Sequence, residues 1–143
     1  MKTMTHLKLW LFAGILAVVA AGCGQKENKS APSLEGRWTG YDITQPGTKC
    51  TLTITSSQID YRGGNSNDWC RLSFVKNDQV QPPQMDVTFL ESPAHELVGK
   101  TALGIYGLEG DRLSVAVSEP GSNERPVSLT GGPHVRVFSF RRE

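Results

Sequence analysis

The sequence predicts an all-β fold, a small eight-stranded antiparallel barrel. Three observations predict it. Apolar residues recur with period 2 rather than 3.6, turn signals separate the alternating runs at regular spacing, and no run makes a convincing helix. Threonine, valine and aromatic side chains fill the runs, and these suit a pleated, half-buried surface.

The runs follow in order along the chain. Leu34-Glu35-Gly36-Arg37-Trp38 opens the first strand. Cys50, Leu52 and Ile54 alternate with Thr51, Thr53 and Thr55, and Cys70, Leu72 and Phe74 with Arg71, Ser73 and Val75. Met85, Val87 and Phe89 alternate with Asp86, Thr88 and Leu90. Leu113, Val115 and Val117 alternate with Arg112, Ser114, Ala116 and Ser118, and Phe138 and Phe140 with Val137, Ser139 and Arg141. Gly63-Gly64-Asn65-Ser66-Asn67-Asp68, Gln81-Pro82-Pro83, Glu109-Gly110-Asp111, Pro120-Gly121 and Gly131-Gly132-Pro133 are turns. The best helical candidate, Pro93 to Val98, is barely a turn and a half. Short turns between consecutive strands favour up-and-down order. Eight strands let the sheet close, which removes both edges and leaves room inside for side chains or one small ligand.

Ahead of the barrel stands a leader. Lys2 and Lys8 precede thirteen uncharged residues, Leu9 to Ala21, too short to cross a hydrocarbon core. The run ends in Ala20-Ala21-Gly22-Cys23, which resembles the lipobox of bacterial lipoproteins. The resemblance implies cleavage before Cys23 and acylation of Cys23 on its sulfur and its new amino group. A plain secretory signal or an uncleaved anchor is the alternative. Gly24 is not the aspartate associated with inner-membrane retention, which in a two-membrane cell favours the outer membrane. The expected organisation is therefore a signal peptide at 1–22, a lipidated cysteine and flexible tether at 23–34, and one barrel domain at 35–143.

Composition limits the partners. Without Lys2 and Lys8 the chain carries 13 basic against 14 acidic groups, and no basic run occurs. That argues against nucleic acid and against electrostatic membrane binding, and leaves a monomer held to the membrane by its lipid. Cys50 and Cys70 remain as an even pair in an exported chain, as a disulfide or as two buried thiols. No CxxC is present and His95 and His134 lie far apart, so neither a metal site nor a cofactor is expected. His95-Glu96 reads as a solvated loop rather than half of a catalytic dyad. No Gly-rich stretch precedes a helix and no carboxylate pair stands out, so an enzyme is not expected.

Beyond the opening Gly-x-Trp, Gly104-Ile105-Tyr106-Gly107-Leu108-Glu109-Gly110-Asp111-Arg112-Leu113 is the most particular segment, with Pro83-Gln84-Met85-Asp86 before it and Arg125-Pro126 and Arg141-Arg142 after it. Together these motifs resemble a family of small bacterial lipocalin-like domains, often secreted or lipid-anchored, over about residues 34–143. The resemblance implies a lipocalin-like barrel and no established activity. Read physically, Gly36 allows close backbone approach and Trp38 is large enough to plug one end of the barrel. An arginine from the last strand lying over that indole would close the barrel, Arg141 first and Arg142 second. Arg125 either binds a carboxylate through its bidentate fork or pins its own loop to the rim.

Two functions follow. One is a binding module for a small apolar ligand or short peptide at the barrel mouth, with Tyr106, Trp69 and Arg125 as candidate contacts. The other is an envelope interaction or inhibitor module with a filled barrel, presenting the loop Gly63–Asp68 and an exposed aromatic patch at Tyr61 and Trp69. Only five phenylalanines occur, one of them in the leader, and this favours a packed or mostly packed barrel over a roomy cup.

Overall fold

The computed structural model describes residues 32–143. The expected signal peptide, the lipidation site Cys23 and most of the tether lie outside the described residues. The strands are β1 (Gly36–Asp42), β2 (Lys49–Ile54), β3 (Gln58–Arg62), β4 (Trp69–Asn77), β5 (Gln84–Glu91), β6 (Thr101–Ala102), β7 (Gly104–Glu109), β8 (Arg112–Ser118) and β9 (Val135–Arg142). All neighbours are antiparallel and nearly all are consecutive in the chain. β6 and β7 are two pieces of one strand interrupted at Leu103, and both pair with β5. β9 then pairs with β1, from Trp38 opposite Arg142 to Asp42 opposite Phe138. The result is the expected eight-position, closed antiparallel barrel. The candidate helix is a single 3-10 turn, His95–Leu97.

The period-2 alternation of the sequence is the inside–outside alternation of the strands. Leu52, Ile54, Ile59, Leu72, Val87 and Val115 belong to one buried core inside the barrel. A second, smaller core lies on the outer wall. Ile105, Ala116 and Val137, on three adjacent strands, are buried there beneath Leu129 and Val135, which pack against them. The long connection between β8 and β9 covers this patch.

Two seams close the barrel by different chemistry. Between β5 and β7 the ladder falls to one residue pair, Gln84 opposite Ile105. Arg125 bridges the gap: Nη2 donates to Asp86 Oδ2 at 3.0 Å, and Nη1 donates to Asp86 Oδ1 and, at 2.8 Å, to the Gly104 carbonyl. This bidentate pair ties the β8–β9 connection to the weak seam, so Arg125 pins its loop and does not line the barrel cavity. Its carboxylate partner, Asp86, is held below the ordinary range by the hydrogen bonds of Arg125.

At the β1–β9 seam the side chains seal one end. Trp38 is completely buried, and its Nε1–H donates to the Leu34 carbonyl at 2.9 Å. The Arg142 guanidinium lies 4.2 Å from the centre of the indole ring and donates to the carbonyls of Glu35 and Ser33, both at 2.6 Å. Gly36 has φ of +132°, and a Cβ there would come within 2.9 Å of Arg142 Nη1. At Gly40 a Cβ would lie 1.9 Å from the Ser139 carbonyl oxygen, so the close approach of the two strands at this point requires a residue without a side chain.

Two expectations are corrected here. The closing arginine is Arg142 rather than Arg141. Phe138 and Phe140 point inward, strand parity sends Arg142 the same way, and Arg141 points to solvent, 3.8 Å from Asp111. The domain also begins earlier than Glu35. Leu34 is buried in the core, and Ser33 to Glu35 are bound by the plug. All these closure partners lie between Ser33 and Glu143, so a chain starting at Gly24 contains the whole barrel.

In urea unfolding of that chain, Arg142→Ala is expected to lose about 2 kcal/mol, the sum of a cation–π contact and charge-assisted hydrogen bonds discounted for partial exposure. Arg141→Ala should stay within about 0.5 kcal/mol of the parent, as exposed substitutions do. Equal losses in the two variants would sink this assignment.

Candidate functional site: an apolar cup

Above the plug the barrel is hollow. A cavity of about 540 Å³ opens at the end opposite Trp38. Leu52, Ile54, Ile59, Val87, Val115 and Phe138 line its walls. Phe138 and Phe140 stack with ring centres 5.9 Å apart, and Tyr61 meets Phe138 edge-on at 6.0 Å. These aromatic contacts stiffen one wall and leave the lumen free. The expectation of a packed barrel is therefore overturned. An eight-stranded barrel's diameter is set by strand number and tilt, and Leu, Ile and Val do not fill it.

The mouth is polar, because it is built from strand ends and turns. Thr44, Asp68, Trp69, Glu119, His134 and Arg136 stand around it. Asp42 lies beneath them with no exposure at all. Burial alone would raise its pKa, but hydrogen bonds from Thr44 and from the Arg136 guanidinium outweigh burial and hold it below its ordinary value. Thr44 N–H donates to Oδ1 at 2.9 Å and Arg136 Nε to Oδ2 at 3.0 Å. Arg136 also lies over the Phe138 ring, 5.1 Å from its centre, so the pair forms a fixed polar shoulder on the apolar wall. Across from it the Tyr61 hydroxyl donates to Asp68 Oδ2 at 3.4 Å.

Cys50 and Cys70 are free thiols. They sit on β2 and β4 with β3 between them, since Leu52 pairs with Tyr61 and Tyr61 with Cys70. Two strand spacings amount to about 9–10 Å, beyond the roughly 4.4–6.8 Å between Cα atoms that a disulfide spans. Of the two alternatives, a disulfide or two thiols, the register fits the two separate thiols. Burial, and secondly the negative charge of Asp42, pushes the Cys50 thiol up to about 11. Burial and then Asp68 push Cys70 up to about 12. Thiols held neutral in this way pack as small apolar groups.

The candidate contacts separate. Trp69 reaches the rim, with the Arg62 guanidinium 5.8 Å from its ring. Tyr106 is buried in the core and does not line the cavity. Arg125 is engaged with Asp86 on the outer wall. Tyr61 is only 9% exposed, so the expected aromatic patch of Tyr61 and Trp69 is not on the surface. Sequence reasoning missed Asp42 and Arg136, which are 94 residues apart and carry no local motif.

Fold and site together define a small closed β-barrel with one plugged end and one open apolar cup. No family model, curated protein or solved structure matches the chain.

The Asp42 pair has a consequence for stability. Because the folded-state pKa lies below the ordinary 3.8, Asp42 adds stability above that pH and loses it as pH falls through the lowered value. At neutral pH, Asp42→Asn is expected to cost about 1–3 kcal/mol, the scale of a disrupted buried hydrogen-bonding group. The gap to the parent should narrow in acid-unfolding series taken well below 3.8. A gap that does not change with pH would contradict the ionised pairing.

Proposed function

We propose that the protein is a lipid-anchored extracytoplasmic binding module of lipocalin-like architecture that takes a small apolar ligand into its cup. The supporting observation is the one-ended cavity of about 540 Å³, inside the range of roughly 300–1,000 Å³ typical of small-molecule sites. Its walls are apolar and its few polar groups gather at the mouth, the arrangement that buries a ligand's body while fixing its end. The leader and Cys23 supply the anchor in this reading, with the outer membrane favoured by Gly24. The module works as a monomer without catalytic chemistry. The alternative of a filled-barrel interaction module loses the two features that would support it, because the lumen is open and Tyr61 is buried.

The test is titration of an environment-sensitive apolar dye into the chain beginning at Gly24. Stoichiometric, displaceable binding is expected, and Val115→Phe, which puts a ring into the lumen, should weaken it at least tenfold while the fold persists by near-ultraviolet circular dichroism. A folded protein that binds no dye, or binds it equally well as Val115→Phe, would refute the cup reading.

A further inference from the structure

We propose that the ligand carries a positive charge at its polar end, seated against Asp68 beside the Tyr61 hydroxyl; this rests on the cup reading above. The charged side chains lining the mouth are Asp68, Glu119, His134 and Arg136. The Arg136 cation is matched by Asp42, which is fully buried behind it. His134 Nδ1 meets Glu119 Oε1 at 3.0 Å, and both side chains are largely exposed. Asp68 is different. Among the described residues, no Lys, Arg or His nitrogen comes within 4.0 Å of its carboxylate. Arg62, on the adjacent strand, points outward by strand parity and lies over Trp69.

The unmatched carboxylate is held in place. The Gly63 N–H donates to the Asp68 carbonyl at 2.6 Å, closing the turn between β3 and β4. The carboxylate folds back over Gly63 so closely that a Cβ at that position would lie 1.7 Å from Oδ2. It is partly buried and borders the lumen. With Arg136 compensated by Asp42 and Glu119 facing His134, the unmatched Asp68 leaves the mouth with an excess of negative charge. The neighbouring acids are consistent with that field. Burial raises Tyr61 and Cys70, and in both the next contribution is the negative charge of Asp68. A cation entering from the mouth meets this field, while its apolar body is accepted by the walls below. The ligand class is thus an amphiphilic amine or quaternary ammonium compound. An amphiphile with a carboxylate head, by contrast, would have to face Asp68 while competing with Asp42 for Arg136.

The test compares three probes of equal chain length, dodecyltrimethylammonium, 1-dodecanol and dodecanoate. Each is titrated calorimetrically below its micelle concentration into the chain beginning at Gly24. The cation is expected to bind about fivefold more tightly than the alcohol at low ionic strength, the scale of a partly exposed ion pair, and dodecanoate more weakly than either. Salt should shrink the preference, and Asp68→Asn should collapse the cation-to-alcohol ratio toward unity. Tighter binding of dodecanoate than of dodecanol would overturn the proposal through Arg136. So would a ratio unchanged by Asp68→Asn in a protein that still melts cooperatively. Binding of the alcohol without preference for the cation would sink this inference alone, whereas binding of none of the three would remove the cup reading and this inference with it.

Discussion

A sheet becomes a cup only when its last strand returns to its first and one end of the resulting tube is stopped. In this barrel both conditions meet at Trp38. Its indole is fully buried, hydrogen-bonded to Leu34 and covered by Arg142, whose guanidinium also ties down the carbonyls of Ser33 and Glu35. The segment before β1, the first strand and the last strand are therefore joined through one stacked pair. The positive φ of Gly36 and the bare backbone of Gly40 are local concessions to that closure. Because this end is closed by a large aromatic group rather than by a packed interior, the space above it remains open.

The opposite wall is weaker in backbone terms and relies on side chains instead. The β5–β7 seam has lost most of its ladder, and Arg125 restores it by binding Asp86 and Gly104 together. The same arginine holds the β8–β9 connection over the outer patch of Ile105, Ala116 and Val137. The mouth follows from this scaffold. Asp42 ends β1 and Arg136 lies near the start of β9, so strand pairing brings together two groups 94 residues apart. The polar shoulder at the rim is thus a by-product of the seam that carries the plug.

Most of the fold was legible because alternation carries it. The inward sets at Cys50–Ile54, Cys70–Phe74, Met85–Phe89 and Phe138–Phe140 follow directly from period 2, and strand count with short turns implies closure. The same parity, carried two residues past Phe140, points to Arg142, so that signal was present and Arg141 ran against it. Other features needed register, which no composition supplies. Whether Cys50 and Cys70 can meet depends on β3 lying between them. Whether Tyr61 is a surface or a lumen residue depends on its pairing with Leu52 and Cys70. The hollow interior is not legible in the number of large residues, because lumen width follows from strand number and tilt. The outer patch did leave a trace, in Ala116 and Val137 at nominally outward positions.

In the proposed cup, an apolar molecule enters from the mouth and rests on the walls above an undisturbed plug. Nuclear Overhauser contacts between bound 1-dodecanol and methyl-labelled protein test it most directly. Contacts to the methyl groups of Val87 and Val115, with the Trp38 indole proton still protected from exchange, are the expected result. Contacts confined to the outer wall, such as to Val75 or Val127, or loss of protection at Trp38 when the alcohol binds, would contradict it.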